Sequence, residues 1–292
     1  MLLFSLAIYP DFLYSETPRF GKATQETAKL DGLAGTFPIK FRHIIDQLKK
    51  SGVDLKSGEN SPKIAIQNRL LLYGSTGNGK TTIAKKIAER AGAHCIYKVP
   101  FGLTSGTEEE TAANIRETFF SAHEYVDKNS QPVVIIFDDI NDEKTELLGA
   151  SQELRHQLAL IQNDARFLFI SIAYQENIHP LFKANFGSNI EKFDAPNEAV
   201  RRDVLQHYKK KFTGAPWNEQ ILKKLVANSS DEKISIRFLE SYVRVVYMVA
   251  KNDNDGVITD ELAWDIFEEM KSKYVESFAK KVKRQISSVF AH

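Results

Sequence analysis

From Arg69 onward the chain alternates between two hydrophobic periods. RLLLY (69–73), HCIYKV (94–99), PVVIIF (132–137) and RFLFISI (166–172) are short, nearly continuous apolar runs. Between them lie stretches with apolar residues every three to four positions, such as TTIAKKIAERAG (81–92) and ETAANIRETFFSAHEYV (110–126). Uninterrupted apolar strands need cover on both faces, and amphipathic helices at these intervals supply it. The pattern predicts an α/β fold, a parallel sheet sandwiched between helices, with a long polar helix after PVVIIF and another helix after RFLFISI.

Strands end at FDAP (193–196), beyond which AVRRDVLQHYKKKF, EQILKKLVAN, IRFLESYVRVVYMVAK and DELAWDIFEEMKSKYV all carry helical spacing. Upstream, FRHIIDQLKK (41–50) predicts a helix ending at Ser51-Gly52, and SGENSP (57–62) a loop. Residues 15–29 are polar and small, which suits an arm or linker. The organisation expected is an arm over 1–28, an α/β nucleotide-binding domain over 29–195, a small all-helical domain over 196–270 and a basic amphipathic helix over 271–292.

The chemistry is concentrated in GSTGNGKTT, Gly74 to Thr82, which follows RLLLY and opens a helix, the context a P-loop requires. Gly74, Ser75, Thr76, Gly77, Asn78 and Gly79 can turn their N–H groups around phosphate oxygens, with the dipole of the following helix behind them. Lys80 places a cation between the outer phosphates, and the Thr81 hydroxyl suits a magnesium ion. Such a loop needs a carboxylate for the metal at the end of a buried strand, and PVVIIFDD supplies Asp138. ATP and magnesium are the expected ligands.

Composition narrows the remaining classes. With 39 basic against 38 acidic residues, the chain lacks the excess of a protein that holds nucleic acid through phosphate contacts. Cys95 is the single cysteine, so neither an intrachain disulfide nor a multi-cysteine zinc site can form, and a reducing, cytoplasmic setting is expected. MLLFSLAIYPDFLY opens apolar but has no basic n-region, and Pro10 and Asp11 interrupt it well before the roughly 20 residues a membrane helix needs. Membrane contact is not expected. The histidines have no paired metal spacing, and KNDNDGVITDEL would put Lys251 and Leu262 at the first and twelfth positions of a calcium loop, where ligands are required.

Over about residues 30 to 274 the chain resembles the AAA ATPases. LDGLAG (30–35) resembles the segment bordering the adenine pocket, NRLLLYGSTGNGKTTIAKKIAERAGA the P-loop region, and APNEAVRRDVLQHY the start of the helical lid. VITDELAWDIFEEM resembles the closing lid helix, with Thr259 as N-cap and Asp260 and Glu261 in its first turn. The resemblance implies an oligomer, a ring or partial ring of like or unlike subunits, in which ATP hydrolysis changes the conformation of a macromolecular partner. It also implies that Asp139 is the base acting on the attacking water, and that Arg237 is a cationic sensor at the start of a lid helix, where an ordinary surface ion pair is the alternative.

Three positions depart from the family pattern, all on the hydrolytic side. Asp139 stands where the family has Glu, one methylene longer; Ala173 stands at the polar sensor after the fourth strand, with Gln175 and Asn177 nearby; Asn185 aligns with the arginine finger, with Lys183 and Lys192 the nearest cations. Phe101 is the candidate for the pore aromatic of polypeptide-threading members, or a packed loop residue. The departures keep a second reading open, a nucleotide-gated regulatory subunit that hydrolyses ATP poorly. A small-molecule P-loop kinase ranks below both, because such an enzyme needs no four-helix lid. The basic C-terminal helix suits packing on the lid or on another subunit, with an anionic partner as the alternative.

Overall fold

The computed structural model describes residues 39–57, 68–99, 107–140, 150–174, 178, 180–230, 234–254 and 256–289. The expected arm, the LDGLAG segment, Phe101, Gln175 and Asn177 lie outside these residues. In chain order the elements are α1 (Ile39–Ser57), β1 (Arg69–Gly74), α2 (Lys80–Ala91), β2 (His94–Lys98), α3 (Glu108–Asn129), β3 (Val133–Phe137) and α4 (Ser151–Leu160). β4 (Phe167–Ile172), α5 (Pro180–Lys183), β5 (Ile190–Phe193), α6 (Glu198–Thr213), α7 (Glu219–Asn228), α8 (Ile236–Asp253) and α9 (Asp260–Val289) follow.

The five strands form one parallel sheet in the order β2-β3-β4-β1-β5. Strand periodicity divides its side chains between two cores. Leu71, Ile135, Phe137, Phe167 and Phe169 face α3 and α4, where Phe119 meets Phe137 edge-on with ring centroids 6.4 Å apart. Leu70, Leu72, Val134, Ile136, Leu168 and Ile170 face α1 and α2. Because alternate residues are buried on opposite sides, the central strands read in sequence as unbroken apolar runs.

Two elements differ from the sequence expectation. β5 is a four-residue edge strand, IEKF, with half-buried or exposed side chains, so it carries no apolar run to reveal it. α1 continues through Ser51-Gly52 to Ser57. Gly52 lies against Pro132, where an added Cβ would come within 3.2 Å of the ring, so the missing side chain permits close packing and does not end the helix.

α6 to α9 enclose a third core around Leu222, Leu225, Leu239, Tyr242, Val243 and Phe267. Its buried polar groups are satisfied locally: the Tyr242 hydroxyl donates to the Ala263 carbonyl at 2.7 Å and the Trp217 indole N–H to the Leu205 carbonyl at 3.0 Å. Each helix start is capped. Asn197, Asn218, Ser235 and Thr259 accept backbone N–H bonds from Val200, Gln220, Phe238 and Leu262. α9 runs unbroken past residue 271, where the basic segment begins, so that position marks a change of composition and not a break in the backbone. Among the described residues, no helix is long and apolar enough to cross a membrane.

Candidate nucleotide site

The site forms where β1 ends in the middle of the sheet and the chain turns into α2. Gly74, Gly77 and Gly79 adopt positive φ of 126°, 81° and 89°, the left-handed half of backbone space that other residues enter at a cost. Gly74 also has no room for a side chain, since a Cβ would lie 2.3 Å from the Phe193 carbonyl oxygen of β5. The resulting loop leaves Ser75 and Thr76 exposed, buries Asn78 and Lys80, and presents the N-terminal N–H groups of α2 behind it. Asn78 ties the loop to the end of β5, its Nδ2 donating to the Asp194 carbonyl at 3.1 Å.

The Lys80 ammonium lies over the loop, donating to the Gly74 and Ser75 carbonyl oxygens at 2.7 and 2.8 Å. Burial lowers its pKa to about 8, and the nearby Arg237 charge adds to the lowering; Asp138 and Asp139 oppose it. Anionic phosphate oxygens at this loop would favour the charged ammonium.

Thr81 sits one residue along, its Oγ1 donating to Asp138 Oδ2 at 2.7 Å. This pairing fits the donor set a magnesium ion takes, one hydroxyl and one carboxylate beside phosphates. Thr82 is exposed on the next position of α2. Asp138 is buried at the end of β3, and its Oδ1 accepts the Asp139 N–H at 2.8 Å. Asp139 is exposed with φ of 60°, a left-handed conformation that Asp tolerates better than most residues. The two acids are therefore not equivalent: one is fixed toward Thr81 and the other turned to solvent.

A residue that the sequence did not single out completes this cluster. Tyr97, on edge strand β2, donates its hydroxyl to the same Asp138 Oδ2 at 2.7 Å. The available signal was its place at the end of the strand beside β3, aligned with Ile136 two residues before the acid.

The helical domain reaches the loop through the start of α8. The Arg237 N–H donates to the Gly77 carbonyl at 3.1 Å, and a Cβ on Gly77 would lie 2.8 Å from Ser235 Oγ and 3.0 Å from Arg237 Cβ. The Arg237 side chain is exposed. Gly77→Val is expected to lower the thermal midpoint by several degrees and to raise proteolysis between the two domains, because the residue is both strained and in collision with α8. Gly92→Val is the matched control: Gly92 also has positive φ, 63°, but nothing lies within 4 Å of its added Cβ. A Gly77→Val loss no larger than that of the control would show that the contact does not hold the domains.

The remaining family positions behave differently from one another. Ala173 is buried after β4, its N–H bonded to the Leu72 carbonyl at 2.9 Å, and offers no polar side chain. Asn185 faces inward, only 6% exposed, accepting from Arg155 Nε at 3.4 Å through Oδ1 and from Arg69 through its carbonyl. Within this chain the Asn185 side chain is packed in the interior against Arg155. Lys192 pairs with Asp194 at 3.0 Å and Lys183 lies over the Tyr73 ring at 5.8 Å.

The model of the ATPase family associated with various cellular activities (AAA) matches residues 70–192. The chain is 33% identical over 114 residues to 26S proteasome subunit RPT4 of Saccharomyces cerevisiae, a match covering 38% of this chain and 24% of that protein. It is 31% identical over 139 residues to the ATP-dependent zinc metalloprotease FtsH of Ureaplasma parvum, covering 45% and 17%. To ORC1-type DNA replication protein 1 of Methanosarcina mazei it is 21% identical over 224 residues, covering 66% and 53%. The chain thus spans about half of the last relative and a quarter or less of the other two.

Proposed function

From an AAA-type ATPase domain at residues 70–192, we propose that this chain binds ATP with magnesium and couples its binding and hydrolysis to a conformational change in a macromolecular partner. The observation that carries the proposal is the contact between the P-loop and α8. Gly77, in the turn proposed to hold the phosphates, is bonded through its carbonyl to Arg237, so a nucleotide in the loop acts directly on the helical domain. In this reading Arg237, exposed at the start of α8, adds a charge at the outer phosphate and is released when that phosphate leaves.

In this reading the loop glycines and Lys80 bind and orient the phosphates, while Thr81 and Asp138 hold the metal. Magnesium, when bound, neutralises charge on the outer phosphate oxygens. Asp139 is the residue assigned to take a proton from an attacking water; its exposed carboxylate can reach solvent without disturbing Asp138. Assembly with like or unlike subunits, in a reducing compartment consistent with Cys95 as the only cysteine, belongs to the same proposal.

A second reading has specific support. The apolar Ala173 and the inward Asn185 remove two groups that would act on water or on a neighbour's phosphate, which favours a regulatory subunit that holds ATP and turns it over slowly. Steady-state ATP turnover of the pure chain, with its solution mass measured with and without ATP, separates the readings. Turnover that rises with assembly supports the coupled ATPase. Saturable binding without turnover supports the regulatory subunit.

A further inference from the structure

We propose that Tyr97, steadied by Lys85, is a positioning residue that fixes the Asp138 carboxylate for the metal. The inference rests on the reading of the loop as a magnesium-nucleotide site. Three donors converge on this one carboxylate: Asp139 N–H on Oδ1 at 2.8 Å, and the Thr81 and Tyr97 hydroxyls on Oδ2, both at 2.7 Å. They arrive from three elements, the chain after β3, helix α2 and strand β2, so the carboxylate is held from separate directions.

The two hydroxyls are not interchangeable. Thr81 is the one whose oxygen lone pair would be given to magnesium, and its short side chain must then satisfy metal and carboxylate together. Tyr97 comes from β2, outside the loop and the helix that follows it. It keeps Oδ2 in place whichever way Thr81 turns. Its ring is in turn covered by the Lys85 ammonium, 4.0 Å from the centroid, an attraction between cation and ring face that resists swinging of a side chain 37% exposed on an edge strand. Lys85 comes from α2, the helix that also carries Lys80 and Thr81, so ring, carboxylate and phosphate loop are registered to one rigid element.

Partners that orient a metal-binding carboxylate commonly alter metal affinity by 10- to 100-fold when removed. Tyr97→Phe deletes one hydroxyl and keeps the ring beneath Lys85. The test is ATP affinity of the full chain measured by calorimetry across a magnesium titration and again in EDTA. Half-saturating magnesium is expected to rise about tenfold in Tyr97→Phe, with affinity in EDTA unchanged. Lys85→Gln is expected to shift it in the same direction by about threefold, as the ring loses its clamp. That variant carries the test alone if Tyr97→Phe does not fold.

Coincident magnesium midpoints in the unaltered and Tyr97→Phe chains, with ATP still bound, overturn the positioning role and leave the nucleotide site standing. An equal loss of affinity with and without magnesium also overturns it, because Tyr97 would then serve general packing. Failure of the unaltered chain to bind ATP overturns the site itself, and the inference with it.

Discussion

Lys80→Ala is expected to weaken ATP binding by about 1.5 to 3.5 decades. The ammonium is buried over the loop, with its own hydrogen bonds directed at loop carbonyls and, among the described residues, no carboxylate bonded to it. Removing a buried, hydrogen-bonded partner of a charged group costs about 2–5 kcal/mol, and each 1.4 kcal/mol is about tenfold in affinity. The pH dependence gives a second readout of the same residue. Burial lowers the folded pKa to about 8, below the value of an exposed lysine, whereas bound phosphates favour the charged form. Binding near and above pH 8 should therefore take up a proton, and ATP affinity should fall as pH rises through that range. In Lys80→Ala both the uptake and this part of the pH dependence should vanish. Calorimetry in buffers of different ionisation enthalpy measures both, and unchanged affinity in the variant would remove Lys80 from the site.

Asp138→Ala should have the next largest effect, and the contrast with Asp139 is its sharpest form. Loss of the Asp138 carboxylate leaves the Thr81 and Tyr97 hydroxyls without their shared acceptor and takes away the carboxylate proposed to hold the metal. Magnesium-dependent ATP affinity should fall by about one to two decades. Asp139→Asn should leave binding intact, since its side chain is exposed and accepts no bond in the cluster. Whatever turnover exists should drop by about 10²- to 10⁴-fold if Asp139 is the base. Asn also tolerates the left-handed backbone at this position, so the variant tests the carboxylate and not the turn. Equal losses of binding in the two variants would contradict the division of roles.

The parts of this site that were legible in sequence are those set by local rules. The P-loop is contiguous, the runs of β1, β3 and β4 are apolar because both faces are covered, and Asp138 follows its strand directly. What sequence reading missed depends on tertiary approach. Tyr97 meets Asp138 across 41 residues, and on a short edge strand a tyrosine reads simply as a strand former. β5 is recognisable only by its pairing with β1, because its half-buried or exposed side chains form no apolar run. Gly52 reads as a helix end until Pro132 is placed against it. Asn185 marks the limit of arguing from aligned positions. Its residue type suggested an absent cation, while its burial against Arg155 and Arg69 gives it a packing role that no local pattern encodes.

The proposed binding and hydrolytic groups differ in the same way. The residues proposed to bind the nucleotide are within hydrogen-bond distance of one another in a single chain, Lys80 on the loop and Thr81 on Asp138. Hydrolysis asks for groups around the terminal phosphate, and here Ala173 supplies none, leaving Asp139 and Arg237 as the exposed candidates.

The central claim, that Gly74 to Thr81 with Asp138 is a magnesium-nucleotide site, is tested most directly by titrating the unaltered chain with ATP in magnesium and in EDTA. The account predicts saturable binding of one ATP per chain, weakened when magnesium is withdrawn and competed by ADP. No saturable binding at millimolar ATP, or identical affinity with and without magnesium, would contradict it.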